Sequence, residues 1–363
     1  MSRFTSYYLY QRYEKVGDGE WTPTYPNEYS ISGDSENTMP LVIKEQNDAN
    51  CGYYPPIYQW VDTDDTICIL EEGFPTQYLT FKSFSDNNRI SFVSYNSNGE
   101  IIPGVNTIQY TLDNGSTWSS LTPSNSVTIN SGDTIMFKAT DLTFNFPYGV
   151  GTFNTTGSYE AYGNVMSLVY GDNFIEYIER GIVPNDYYFE DLFRASSGLT
   201  SAENLILPTR LRLGCFSGMF QQCNNLITAP SLPSTELASQ CYFRMFYHCE
   251  SLVNAPELPA TTLATSCYRY MFERCSSLEI APDLPAPILT DGCYGQMFYL
   301  CYNLNYIKCL ATDISATDCT SNWTSGVQTT SGTFVKDATM NNWTINTSYV
   351  KSGIPKNWTI QNA

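Results

Sequence analysis

Hydrophobic and polar positions recur with a fixed period of 26 residues in the second half of the chain. Five cysteines mark this period, namely Cys215, Cys241, Cys267, Cys293 and Cys319. In four units a Met-Phe pair begins four residues after the first cysteine, and a second cysteine follows eight residues after it. A period of about 20 to 50 residues is typical of a solenoid, in which small units stack on a shared core. Since most solenoids present surfaces, the pattern favours binding over catalysis.

Each unit predicts a short helix followed by an extended segment. Cys, Met or Phe, and Cys stand at i, i+4 or i+5, and i+8, which suits one face of a helix. The next residues, 252–259 in one unit, contain prolines that exclude the preceding residues from the helical region. In the last unit Lys308-Cys309-Leu310 replaces Pro-x-Leu. Residues 188–193 resemble the Met-Phe part of a unit without its cysteines, which predicts an atypical first unit that caps the stack.

An alternating pattern upstream of the repeats predicts an all-β region. The expected strands are residues 78–81, 89–95, 108–112, 126–129 and 134–139. Asp113-Asn114-Gly115 is a strong hairpin signal, because Asn and Gly tolerate a positive φ. Strands and turns at this spacing fit a β-sandwich.

The predicted fold class is therefore multidomain and mainly β. We expect an N-terminal assembly segment with short strands (1–72), a β-sandwich-like domain (73–175), a transition and cap repeat (176–213), the repeats (214–310) and a C-terminal cap (311–363).

Charge and hydropathy exclude two classes of partner. The chain has 36 acidic and 18 basic residues, a formal net charge of −18. Nucleic-acid binding needs a basic patch, so we expect no nucleic-acid partner. No apolar run approaches the ~18 residues of a membrane span, so we expect no membrane insertion. The first residues also lack the apolar run of a signal peptide, which predicts synthesis in a cytoplasm if Met1 is the natural start.

The cysteines are interpreted as structural thiols. Ten of the twelve lie in or just after the repeats, where stacking places like residues beside like. Disulfides and a metal site remain as alternatives, but a C-x7-C spacing matches no common zinc pattern. His248 is the only histidine, and sister units carry Gln222, Arg274 and Leu300 at its position. We therefore expect no catalytic residue, no metal and no cofactor.

Comparison of the units separates constant from variable positions. The constant Cys, Met, Phe, Leu, Ala and Pro positions are expected to form the core, and the variable positions to face outward. The variable positions collect Tyr, Phe, Arg and His, which suits a contact surface. An ordinary solvent-exposed face is the alternative. The candidate ligand-contact residues are Phe243, Arg244, Tyr247, His248, Arg269, Tyr270, Glu273, Arg274, Gln296 and Tyr299.

The motif Met-Phe-x-x-Cys-x-x-Leu-x-x-Ala-Pro-x-Leu-Pro-Ala-Thr-Thr-Leu at residues 245–263 resembles BspA-type leucine-rich repeats. Such repeats occur on surface proteins of gut bacteria and their phages. The N-terminal segment 51–61 is similar to virion and fibre proteins of crAss-like gut bacteriophages. The candidate assembly contacts are Tyr53, Tyr54, Pro55, Pro56, Tyr58 and Trp60.

This resemblance implies a phage virion protein, a head or tail fibre component without enzymatic activity. It would contact other virion proteins through its N-terminal segment and a host surface glycan or protein through its repeats. By analogy with fibre proteins we expect a homo-oligomer located in the virion. The alternative is a bacterial cell-surface adhesin that binds glycans or host proteins. A glycan-degrading enzyme would instead need paired carboxylates in a cleft.

Overall fold

The computed structural model describes residues 77–93, 108–140, 151–177, 183–327, 331–347 and 352–363, together with the backbone of several strands before residue 77. The chain forms two compact units, Met1–Gln77 and Tyr78–Ala363. Its regular elements are predominantly strands, so the predicted mainly β class is confirmed. No helix within the described residues has the length and apolar character needed to cross a membrane.

The first unit contains short paired strands, as the sequence predicts. They are β1 (Tyr13–Val16), β2 (Glu20–Pro23), β3 (Tyr29–Ser30), β4 (Thr38–Met39), β5 (Leu41–Ile43), β6 (Tyr58–Val61) and β7 (Ile67–Ile69). β1 pairs with β2 and β3 with β4, while β6 lies between β5 and β7, all antiparallel.

The second unit carries the remaining elements. The strands are β8 (Leu79–Ser83), β9 (Asn88–Val93), β10 (Ile108–Thr111), β11 (Ser119–Leu121), β12 (Val127–Ile129), β13 (Thr134–Ala139), β14 (Thr152–Thr155), β15 (Tyr159–Asn164), β16 (Leu199–Ser201), β17 (Leu205–Ile206), β18 (Tyr306–Cys309), β19 (Thr333–Lys336) and β20 (Thr359–Asn362). The helices are α1 (Ser167–Tyr170) and a 3-10 turn (Gly171–Tyr177). The five strands predicted between residues 78 and 139 are confirmed to within a few residues.

Two sheets face each other across an aromatic core in the first part of this unit. One sheet has the order β11-β10-β13-β8-β15-β16, with β17 also beside β15, and the other has the order β12-β9-β14. Phe153 of β14 lies 4.8 Å, ring centroid to ring centroid, from both Phe81 of β8 and Phe137 of β13. These contacts join the two sheets.

Strand β15 connects this sheet region to the repeats. It is antiparallel to β8 on one side and parallel to β16 and β17 on the other. Parallel bridges then continue from Ser201 to Thr228, Asn254, Ile280 and Tyr306, and the ladder ends in parallel β18, β19 and β20. A single hydrophobic core extends from Leu79 to Trp358. The predicted boundaries at residues 175 and 213 fall inside this continuous core.

The helix predicted between the two cysteines of each unit is wrong. These segments are runs of tight turns in which hydrogen bonds alternate between two directions. The N–H of Arg244 donates to the carbonyl of Arg269 in the next unit (3.0 Å), whereas the N–H of Met245 donates to that of Tyr242, three residues back (3.2 Å). An α-helix would direct every N–H four residues back.

Every fourth residue in these turns has a positive φ, which an α-helix does not allow. In three successive units these residues are Gly214, Gly218 and Gln222; Gln240, Arg244 and His248; and Ser266, Tyr270 and Arg274. The chain therefore turns a corner every four residues, and in the unit 241–249 two buried residues alternate with two half-buried ones. A side-chain spacing of i, i+4 and i+8 fits this geometry as well as it fits a helix over so short a stretch.

The proline-containing segments are extended, but they form single bridges instead of full strands. Proline has no N–H to donate to a ladder, and Pro230, Pro256 and Pro282 hold the same position in three units. Lys308 replaces the proline in the last unit, and there a complete strand forms as β18. The substitution noted in the sequence thus restores strand pairing.

Candidate functional site

Nine cysteines form two buried columns and Cys309 lies in β18, and the ten cysteines within the described residues are free thiols. In the second column each thiol contacts the preceding unit: Cys249 Sγ donates to the Phe220 carbonyl (3.0 Å) and Cys275 Sγ to the Phe246 carbonyl (3.1 Å). Burial raises the pKa of Cys215 and Cys223 to about 12. The ten thiols are thus buried and free, as the interpretation as structural thiols expects, and burial disfavours the thiolate form.

Two columns of stacked rings run beside the thiols. Tyr242, Tyr268 and Tyr294 stack in one column, with ring centroids 5.8 and 6.1 Å apart. A parallel phenylalanine column is formed by Phe193, Phe220, Phe246, Phe272 and Phe298. Trp323 receives both columns at the C-terminal end, 6.3 Å from Tyr294 and 6.2 Å from Phe298. The constant Cys, Met and Phe positions are therefore core, as the sequence predicts, whereas the constant prolines Pro233 and Pro259 are exposed.

The outward corners of the turns form what we call the outer turn face: the side chains of Phe243, Arg244, Tyr247 and His248 with their equivalents in the neighbouring units. Register follows from the backbone ladder, which places residue i beside residues i−26 and i+26. Four candidate residues are in direct contact here, namely Phe243, Arg244, Tyr247 and Tyr270. Phe243 and Tyr270 make an edge contact, with ring centroids 5.3 Å apart.

Arg244 lies at the centre of this aromatic group. Its Cζ is 5.0 Å from the Phe243 ring centroid, 5.7 Å from that of Tyr247 and 4.9 Å from that of Tyr270. A guanidinium over aromatic rings at these distances makes cation–π contacts of about 0.5–2 kcal/mol. The rings therefore hold Arg244 in one place on an otherwise open surface.

Arg269 extends the group into the next unit. Its Cζ lies 5.2 Å from the Tyr270 ring centroid, and the Tyr270 hydroxyl accepts a hydrogen bond from Gln296 Nε2 (3.2 Å). A side chain at Gly292 would crowd the Arg269 guanidinium. Three units thus contribute to one surface of two arginines and several rings.

Glu273 does not face outward as predicted, because only 7% of it is exposed. It occupies the position between Tyr247 and Tyr299 in the stack, and its Oε1 is 3.9 Å from Arg274 Nε. Burial raises the pKa of Glu273, although Arg274 and Arg244 oppose the rise. The carboxylate is therefore a partner for Arg274 and not a surface contact.

The other candidates occupy the edges of the face. His248 Nε2 lies 3.4 Å from Glu250 Oε1, Arg274 is exposed, and Tyr299 is half-buried. Tyr53, Tyr54, Pro55 and Pro56 fall outside the described residues. Tyr58 and Trp60 lie in β6, which pairs with β5 and β7.

An acidic corner at the first unit was not predicted as part of the site. Burial raises the pKa of Glu190 to about 7, helped by Asp191 and opposed by the Ser217 hydroxyl and Arg194. The pKa of Asp191 is also raised by burial, against the effects of Arg194 and Arg244. Gly218, whose side chain would collide with Asp191, lets this carboxylate approach the next corner.

The signal for this acidic corner was present in the sequence. Alignment of residues 188–193 with the later units places Asp191 in the same column as Gly218 and Arg244.

In the part of the chain that the structure describes, no group of three or more His, Cys, Asp or Glu side chains could hold a metal ion. Comparison with protein-family models, curated proteins and solved structures found no match. The outer turn face presents arginine cations, aromatic rings, an amide and hydroxyl groups. These are groups for binding.

Proposed function

We propose that the chain is a non-enzymatic structural protein of a bacteriophage virion, a head or tail fibre component. It attaches by its N-terminal segment and presents a BspA-type leucine-rich-repeat solenoid to the host surface. The outer turn face is the recognition surface, and its ligand is a host glycan or protein. The virion is the location of the protein and other virion proteins are its partners.

The observation that carries this proposal is the contrast between a constant core and a variable outer turn face. Thiols and stacked rings repeat without change beneath the surface, whereas the corner positions change from Gly218 to Arg244, Tyr270 and Gln296. A stack of this kind keeps its fold whatever the corners carry, because each unit contacts only its neighbours. Attachment proteins need such a surface.

The composition of the face also supports a binding role. Aromatic residues and arginine are enriched in the residues that dominate binding energy at interfaces. Phe243, Arg244, Tyr247 and Tyr270 lie within one connected group of contacts. These contacts restrict the side-chain rotamers before binding, which lowers the conformational entropy lost when a ligand binds.

A bacterial cell-surface adhesin is the second candidate, because BspA-type repeats are similar on bacterial and phage proteins. The resemblance of residues 51–61 to virion and fibre proteins favours the phage assignment. Fibre proteins self-associate, so we also propose a homo-oligomer, which sedimentation equilibrium of the full chain tests.

Immunogold labelling separates the two candidates. Antibodies against the full chain are applied to phage particles and to bacterial cells from a culture that expresses the gene. Gold on a head or tail appendage supports the virion proposal. Gold on the outer surface of uninfected bacteria would support the adhesin instead, and gold confined to the cell interior contradicts both.

A further inference from the structure

We infer that Arg244 and Arg269 together bind the carboxylate of an acidic sugar, a uronic-acid-type residue within an otherwise neutral glycan. The inference rests on the proposed function, because it assigns the ligand class of the outer turn face. It depends on three observations: the charge partners of the two arginines, the rings that hold them, and the polar groups around them.

The first observation is that both arginines are unpaired in a strongly acidic chain. Acidic residues outnumber basic ones 36 to 18, and three other arginines between residues 183 and 327 have carboxylate partners: Arg194 with Asp191 (2.9 Å), Arg212 with Asp186 (3.2 Å) and Arg274 with Glu273 (3.9 Å). Among the described residues, no carboxylate lies within ion-pair distance of Arg244 or Arg269.

The hydrogen bonds of the two guanidinium groups show the same pattern. The Nε atoms of Arg244 and Arg269 are shielded from solvent and have no acceptor in the described part of the chain. A guanidinium has five donors in a fork that fits a carboxylate in a bidentate manner. Two guanidinium groups beside one Tyr270 ring, each with an Nε that no protein atom accepts from, favour an anion at this place.

The second observation is that the rings fix both guanidinium groups in advance. The two Cζ atoms lie 4.9 and 5.2 Å from the centroid of the same Tyr270 ring. Packing against the rings already restricts the rotamers of both arginines in the folded chain. Ligand binding therefore loses little further side-chain entropy. Glu273 and Asp191 do not compete for the ligand's place, since each has another arginine as its ion-pair partner: Arg274 Nε is 3.9 Å from Glu273 Oε1, and Arg194 is 2.9 Å from Asp191 Oδ2.

The third observation favours a sugar over an acidic protein. Gln296, Tyr247 and Tyr299 place an amide and hydroxyl groups beside the arginines, which suits the hydroxyls that surround a sugar carboxylate. A net charge of −18 repels polyanionic surfaces at long range. A single carboxylate on a neutral glycan avoids this repulsion and still meets two cations.

Saturation-transfer NMR on the full chain tests the inference with matched ligands. The probes are methyl β-D-glucuronide, its methyl ester and methyl β-D-glucoside. We expect the glucuronide to bind at least tenfold more tightly than the ester or the glucoside. The double variant Arg244→Gln/Arg269→Gln should lose at least tenfold in affinity, whereas Arg212→Gln, an exposed ion-paired arginine of the same repeats, should bind as the wild type does.

Several results would overturn the inference. Equal binding of the acid, its ester and the glucoside would show that the carboxylate is not recognised, and this arm does not depend on any variant folding. Unchanged glucuronide binding by the double variant would remove the two arginines from the site. Equal or tighter binding of N-acetylglutamate amide would replace the sugar by an acidic side chain.

Competition in a cell-attachment assay separates this inference from the proposed function. If the wild-type chain attaches to host cells and saturating glucuronide does not compete, the function stands and the assignment of the ligand fails. If the chain does not attach to cells, the proposed function fails, and the NMR titration still decides whether the arginine pair binds a carboxylate.

Discussion

At the residue scale, the buried thiols and the buried carboxylates show how burial changes the chemistry of a side chain. Cys249 and Cys275 use their S–H groups to satisfy carbonyls of the preceding unit, so they act as small apolar residues with one weak donor. Burial raises the pKa of the Glu190 carboxyl group to about 7. Both effects can be measured.

We expect the ten cysteines of the repeats to resist modification in the native protein. Burial raises their pKa values and removes them from solvent, so the reactive thiolate is scarce and inaccessible. In a thiol assay with Ellman's reagent at pH 8, no more than two of the twelve cysteines should react until urea is added. Rapid reaction of more than two before unfolding would contradict the buried columns.

Glu190 should make stability fall as pH rises. Its pKa is about 7 in the folded chain against 4.5 ordinarily, so the folded state keeps a proton that the unfolded state releases between these values. The free energy of unfolding therefore decreases across this window and levels off above it. Allowing for partial exposure, we expect a decrease of about 1–2 kcal/mol.

Urea unfolding at pH 5 and pH 8 tests this expectation with the variant Glu190→Gln. The variant should lose part of the pH dependence and be more stable than the wild type at pH 8. Ser217→Ala removes the hydroxyl that donates to Glu190 (3.2 Å). Because this bond lowers the pKa of Glu190, the fall in unfolding free energy should extend to higher pH in this variant. Parallel curves for wild type and Glu190→Gln would show that Glu190 does not titrate in this range.

At the scale of the element, the turns between the two cysteines of each unit contain both a correct and a wrong prediction from the sequence. The constant and variable positions were predictable, because a repeat reveals its own core. The helix was not a correct prediction, since spacings of i, i+4 and i+8 cannot separate a period of 4.0 from one of 3.6 over nine residues. Gly214, Gly218 and Gly292 were the available signal, because glycine at four-residue spacing favours positive-φ corners over a helix.

The corner geometry predicts opposite effects for two neighbouring glycine substitutions. Gln222 has φ 63° and is exposed, so Gln222→Gly relieves its left-handed backbone and should stabilise by about 0.5–1 kcal/mol. Gln221 does not occupy this region, so Gln221→Gly should destabilise by a similar amount through the entropy of the unfolded chain. If thermal unfolding shows that both variants change the free energy of unfolding in the same direction, the four-residue corner pattern is contradicted.

At the scale of the whole molecule, the units behave as interchangeable layers on a shared ladder. The extended segments link β15 to β20 through parallel bridges, and the ring columns end on Trp323, whose Nε1 donates to the Gly353 carbonyl (2.9 Å). The sequence did not reveal the continuity of the core across residue 175, because that continuity depends on β15 pairing with strands on both sides.

Deletion of one complete layer should leave a folded protein. Removal of residues 241–266 joins equivalent positions and keeps both ladders in register, so far-UV circular dichroism and a cooperative thermal transition should persist. Removal of residues 241–253 joins an outer corner to the extended segment and should abolish the cooperative transition. Equal loss of structure in both deletions would contradict interchangeable layers.

The most direct test of the central claim, that the outer turn face is the recognition surface, is attachment of the labelled full chain to host cells. We expect the variant Arg244→Gln/Arg269→Gln to bind at least tenfold more weakly than the wild type. Ile280→Ser, which alters a residue 59% exposed on the extended segments, should bind as the wild type does. Undiminished attachment of the arginine variant, or an equal loss in Ile280→Ser, would contradict the claim.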